Sequence, residues 1–136
     1  MKRFFYLTSL FTLLFLVSCG PDPEKSRMYF NKGIDYHYAT MHDKAIEYFE
    51  KAIKTDRNNY EAYYYLGCSY FDSNRKDDAK NCWLKSIEIK PDYADGYFSI
   101  GLLYKMDDDR EMSCYYFKQA EKFGRNSMED YTKFCD

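Results

Sequence analysis

The chain has 136 residues, room for one domain, and its 20 Lys and Arg against 22 Asp and Glu leave no basic surplus of the kind a nucleic-acid face requires. Three Pro and six Gly are too few for a loop-rich or disordered chain. The 16 Tyr and 11 Phe beside a single Trp supply large rings to bury, and each Tyr can keep one polar end in water.

Residues 1–18 read as an address rather than a fold element. Lys2 and Arg3 precede a mostly apolar run from Phe4 to Val17, interrupted by Thr8, Ser9 and Thr12. That run is short for a bilayer span, which takes about 20 residues. It ends in Leu16-Val17-Ser18-Cys19, which resembles the bacterial lipobox. The resemblance implies a lipoprotein signal peptide over 1–18, removal of that segment and acylation of Cys19. The plain alternative is a signal peptide in which Cys19 has no part. Two or three acyl chains, at about 0.8 kcal/mol per buried methylene, would anchor the chain stably to a membrane. Gly20 stands where Asp marks inner-membrane retention in enteric bacteria. The expected location is therefore the bacterial cell envelope, at the outer membrane and facing the periplasm. Residues 19–25, with Pro21 and Pro23, form a short stiff tether.

Beyond the tether a 34-residue period runs through the chain. Gly33, Gly67 and Gly101 keep that spacing, with Tyr29, Tyr63 and Tyr97 four residues before them and Tyr36, Tyr70 and Tyr104 three after. Ala45, Ala79 and Ser113 follow, then Phe49, Trp83 and Phe117, then Ala52, Ser86 and Ala120. Tyr29, Gly33 and Tyr36 fall on one helical stripe, and so do Ala45, Phe49 and Ala52. Small residues at the glycine and alanine columns permit close helix approach, and the aromatic column fills the space beside them. Asn74 and Asp108 are residue types that tolerate left-handed backbone in the turns between helices; Thr40, at the equivalent place, suits it less well. Asn58-Asn59 and Pro91-Asp92 mark the breaks between repeats.

These columns resemble the tetratricopeptide-repeat (TPR) pattern. The position before the glycine departs from it as Lys32 in the first copy, and the terminal Pro is present only as Pro91, with Arg57 and Arg125 elsewhere. The resemblance implies an all-α protein: a right-handed α-solenoid of three TPR helix pairs over 26–59, 60–93 and 94–127, plus a C-terminal capping helix. Gly124 stops the sixth helix, Asn126 or Ser127 caps the next, and Tyr131, Phe134 and Cys135 make 128–136 a capping half-repeat.

No catalytic constellation is expected, and no cofactor or metal. His37 and His42 are five apart across a turn and miss the i, i+4 spacing of a helical metal pair. Asp107-Asp108-Asp109 lacks the alternating ligands, Gly and distal Glu of a calcium loop, and reads as a solvated turn feeding a helix N-terminus. Among the cysteines, TPR geometry puts Cys68 towards the inner groove and Cys82 on the outer side, so these two do not pair. Cys114 and Cys135 lie on helices that should pack together, which leaves a disulfide and simple apolar packing both open.

A stack of helix pairs has a concave face lined by first helices. By the resemblance that face holds Arg27, Phe30, Ile34, His37 and Tyr38 from the first repeat. The second repeat adds Tyr64, Cys68, Phe71 and Asp72, and the third Phe98, Leu102, Lys105 and Met106. TPR clamps for chaperone C-termini use Lys, Arg and Asn there to hold carboxylates, and this set is aromatic and aliphatic instead. The expected function is protein–protein interaction, with a protein or peptide partner, a membrane reached through the lipid anchor, and neither nucleic acid nor small-molecule substrate. The alternatives are a structural subunit of a pilus, secretion or outer-membrane assembly that uses its convex face or edges, and side chains that merely pack within the superhelix.

Overall fold

A computed structural model describes residues 20–125, 131 and 133–135. Residues 1–18, Cys19, Asn126, Ser127 and most of the expected capping half-repeat lie outside the described residues. Among the described residues six α-helices follow one another: α1 (Pro23–Tyr38), α2 (His42–Thr55), α3 (Tyr60–Asp72), α4 (Lys76–Ile89), α5 (Ala94–Met106) and α6 (Arg110–Lys122). No strand occurs among the described residues, and a 3-10 turn at Lys133–Cys135 packs against α6. The architecture is an all-α solenoid in which consecutive helices pack as antiparallel neighbours and α1 also touches α3.

Local chemistry starts and stops these helices. Asp22 caps α1 by accepting from the Lys25 N–H at 3.0 Å, with Pro23 in the first turn, where no backbone donor is needed. Asn59 and Asp109 cap α3 and α6 in the same way. The turn inside each pair is one motif used three times. Thr40, Asn74 and Asp108 take φ of 57°, 60° and 59°. The next residue then donates back five positions, Met41 to Tyr36, Arg75 to Tyr70 and Asp109 to Tyr104, which satisfies a carbonyl the helix end leaves free. Gly124, at φ 93°, ends α6 by the same device.

The core is the seam between first and second helices. Phe49, Trp83 and Phe117 are buried there with Ala45, Ala52, Ala79 and Ala120. Each ring lies against the glycine of its own repeat. A Cβ placed on Gly33, Gly67 or Gly101 would come within 2.5–2.6 Å of Phe49, Trp83 or Phe117. Only glycine permits that approach. Buried hydroxyls are satisfied along the same seam, as Ser113 donates to the Gly101 carbonyl and Ser26 to the Ala52 carbonyl. Asn59, which caps α3, donates to Ser26 in turn and ties the start of the second repeat to the first.

Candidate functional site

The first helices of all three pairs line one cavity. His37 of α1, Cys68, Phe71 and Asp72 of α3, and Ser99 and Leu102 of α5 surround a space of about 230 Å³, floored by Trp83 of α4. Its size follows from the sequence on one side. Position 99 of α5 is a serine where α3 has Tyr65 and α1 has Asn31, and the missing bulk leaves room beside Leu102. A hollow of this volume accepts one or two side chains; sites for whole small molecules run to about 300–1,000 Å³.

The wall is chemically quiet. Burial pushes the Cys68 thiol up to about 11, with the indole of Trp83 and the hydroxyl of Tyr64 opposing it, so the group is a neutral thiol near neutral pH and a poor nucleophile. Trp83 donates its Nε1–H to the Tyr64 carbonyl at 3.1 Å and cannot turn freely. His37 is held below its ordinary imidazole range, first by burial and then by His42, against the pull of Asp72.

Of the residues expected on the inner face, the structure gathers His37, Cys68, Phe71, Asp72 and Leu102 around this cavity. The others lie elsewhere. Phe30 is engaged between Phe49 and Tyr65, at ring separations of 5.9 and 5.7 Å. Tyr64 packs edge-on against Tyr65 and Tyr93, both at 5.2 Å. Phe98 packs on Phe117 and is covered by Tyr131 and by the Arg125 guanidinium, 3.6 Å above its ring. Ile34 packs against the core, Arg27 is exposed, and Lys105 reaches over Tyr131 and Phe134. Tyr38 and Met106 stand out at 73% and 55% exposure.

Sequence reasoning placed Trp83 only in the packing column, and its reach into the cavity was signalled only by its being larger than Phe49 or Phe117. Cys114 and Cys135 form a disulfide, with Cα atoms 5.5 Å apart, while Cys68 and Cys82 stay free. His37 and His42, separated by the spacing rule, are brought together by a third residue that the rule does not consider. Asp72 Oδ2 lies 3.9 Å from Nδ1 of each. A wider depression of about 1010 Å³ opens among α2, α3 and α4 and contains none of the expected groove residues; Glu50, Lys54, Lys85 and Glu88 line it with charge of both signs.

Three family models match the chain, two described as tetratricopeptide repeat over residues 26–59 and 48–81 and one as TPR repeat over 67–108. Among curated proteins the chain is similar to anaphase-promoting complex subunit 3 of Schizosaccharomyces pombe, 26% identical over 106 residues that make 78% of this chain. It spans 16% of the length of the curated relatives it matches. Among solved structures, the first TPR of Spaghetti (RPAP3) bound to the HSP90 peptide SRMEEVD superposes with a TM-score of 0.79 at 17% identity, covering 86% of this chain and 95% of that one. MamA superposes with a TM-score of 0.71 at 29% identity, covering 79% and 63%.

Proposed function

Since the chain belongs to the tetratricopeptide-repeat family, we propose that it docks a partner polypeptide along the face of α1, α3 and α5, as a lipid-anchored protein of the bacterial cell envelope. The cavity shared by those three helices carries the reading. Its volume suits one anchoring apolar side chain, its lining is mostly apolar, and Tyr38 and Met106 flank the same ends of α1 and α5 with exposed apolar surface. Interfaces draw most of their energy from a few such anchors in desolvated pockets. The solved TPR of RPAP3 holds a peptide, which makes a peptide-sized ligand reasonable for this scaffold. The envelope part rests on the N-terminal Lys-Arg, apolar run and Cys19. It is supported by the Cys114–Cys135 disulfide, a bond that persists mainly in oxidising compartments.

A second reading, a structural subunit that docks through its second helices, draws on exposed Leu84 of α4 and Tyr115 of α6. One experiment separates the two. The full chain, carrying a photocrosslinker at Tyr38, Met106, Leu84 or Tyr115, is irradiated in cells and recovered from the envelope membranes. Adducts from the first two positions, lost on Leu102→Glu, are expected. Adducts confined to Leu84 and Tyr115 would move the docking face to the second helices, and recovery from the soluble fraction would remove the anchor.

A further inference from the structure

The chain has two histidines, and both converge on one carboxylate from the following repeat. We propose that His37, His42 and Asp72 form a binding site for a single divalent transition cation at the junction of the first and second repeats. His37 lies in the last turn of α1, His42 opens α2, and Asp72 closes α3, so the site joins three elements that meet only in the folded chain. The three donor atoms lie within 4.8 Å of one another.

Two imidazoles and a carboxylate are the donor set of three-ligand zinc sites that keep a fourth position open. On a tetrahedral ion with bonds of about 2.0–2.1 Å, donors stand about 3.3 Å apart. Asp72 Oδ2 is already 3.9 Å from Nδ1 of both histidines, and its side chain is 42% exposed, so torsion about its own bonds with a small rotation of the imidazoles can close the difference. Nδ1 of His42 is buried and has no hydrogen-bond partner among the described residues. A buried ring nitrogen without a partner is costly in an ordinary fold, and coordination to a cation would relieve that cost. His37 Nδ1 also lies 3.2 Å from Ser69 Oγ, a contact the cation would displace.

The repeat supplies its own control. The positions equivalent to His37 are Phe71 and Lys105, those of His42 are Lys76 and Arg110, and those of Asp72 are Tyr38 and Met106. The helix packing recurs, yet the donors occur together once, so packing alone does not account for them. His37 and Asp72 also line the cavity, which sets the site at its rim.

The test is titration of the full chain, purified in detergent and stripped of metal by a chelator, with zinc chloride at neutral pH. One zinc per chain is expected. His42→Ala and Asp72→Asn should each weaken binding at least about tenfold, while circular dichroism and the metal-free melting temperature stay near the parent's. Cobalt(II) in place of zinc should show the visible bands of nitrogen and oxygen ligands without thiolate charge transfer. Failure to bind zinc stoichiometrically, binding that survives both substitutions, or thiolate bands that assign the metal to Cys68 or Cys82 would each overturn the site.

Discussion

The seam inside each helix pair and the face that lines the cavity are built from the same six helices on opposite plans. In the seam, Gly33 meets Phe49, Gly67 meets Trp83 and Gly101 meets Phe117, at nearly the same separation each time. On the cavity side the column that begins with His37 continues as Phe71 and Lys105, and the column that begins with Tyr38 continues as Asp72 and Met106. One surface keeps its residues from repeat to repeat; the other changes them. Stacked repeats share the first requirement, because each pair must close on itself before it can stack. The second set includes packed residues, as Phe71 lies on Trp83 with ring centroids 5.8 Å apart, but the packing does not impose one residue type on its columns, and such residues are free to carry individual chemistry.

The sharpest way to break this contrast is at Gly67. A leucine there would drive four carbons into a space where one already approaches the Trp83 ring to 2.6 Å and the Ala79 carbonyl oxygen to 3.1 Å. Overpacking of this kind typically costs about 1–3 kcal/mol and sometimes more, and backbone on one side leaves little room to yield. Gly67→Leu should therefore lose about 3 kcal/mol or more. Met106→Ala, on the exposed cavity side, should change stability by no more than about 0.5 kcal/mol. Denaturant unfolding of the two variants beside the parent measures both. Equal losses would mean that the cavity face carries as much of the fold as the seam does.

That division also explains what could be read in advance. The 34-residue columns repeat because each is a packing requirement, so the helix pairs, the buried aromatics and the glycine contacts were legible from spacing alone. The left-handed turn was legible at Asn74 and Asp108 and less so at Thr40, whose β-branched side chain argues against a conformation that it nevertheless adopts. The metal-like cluster was not legible. Its members lie in two repeats, 30 and 35 residues from Asp72, and a spacing rule made for one helix does not see a contact across repeats. The cover over Phe98 was missed for a similar reason, since Tyr131 approaches it from beyond the last full repeat and Arg125 from that repeat's very end. Phe30, Tyr64 and Phe98 share a column, but their neighbours differ, and those neighbours decide which rings face open space.

The tail tests whether the non-repeating region can carry stability of its own. Cys114 and Cys135 close a loop with a sequence separation of 21. In the chain-entropy account a cross-link over a loop of this size stabilises by about 3 kcal/mol. The Cys114→Ser, Cys135→Ser double variant should fall by about that amount in denaturant unfolding. Adding a reductant to the parent should have the same effect and add nothing to the variant. A variant as stable as the oxidised parent would mean that the tail rests on α5 and α6 without bearing load.

The smallest expected effect lies in a column where the seam's own regularity lapses. All three turns hold a residue near φ 60°, yet only the first holds a β-branched one, Thr40. Left-handed backbone costs an ordinary L-residue about 1–2 kcal/mol and is relieved where a short polar side chain such as Asn can bond locally. Thr40 offsets part of this with a hydrogen bond from Oγ1 to the Ala39 carbonyl at 2.7 Å. Thr40→Asn copies the residue of the second turn and should stabilise the domain by about 0.5–1 kcal/mol. The reciprocal Asn74→Thr should destabilise it by a similar amount. For a domain near this size a gain of 1 kcal/mol raises the melting temperature by about 4–8 °C, well within calorimetric resolution. The two substitutions must move in opposite directions, because they exchange one residue between two copies of one turn. If both lower the melting temperature, the turns are not equivalent, and the repetition that sets the seam apart from the cavity face stops at the helix ends.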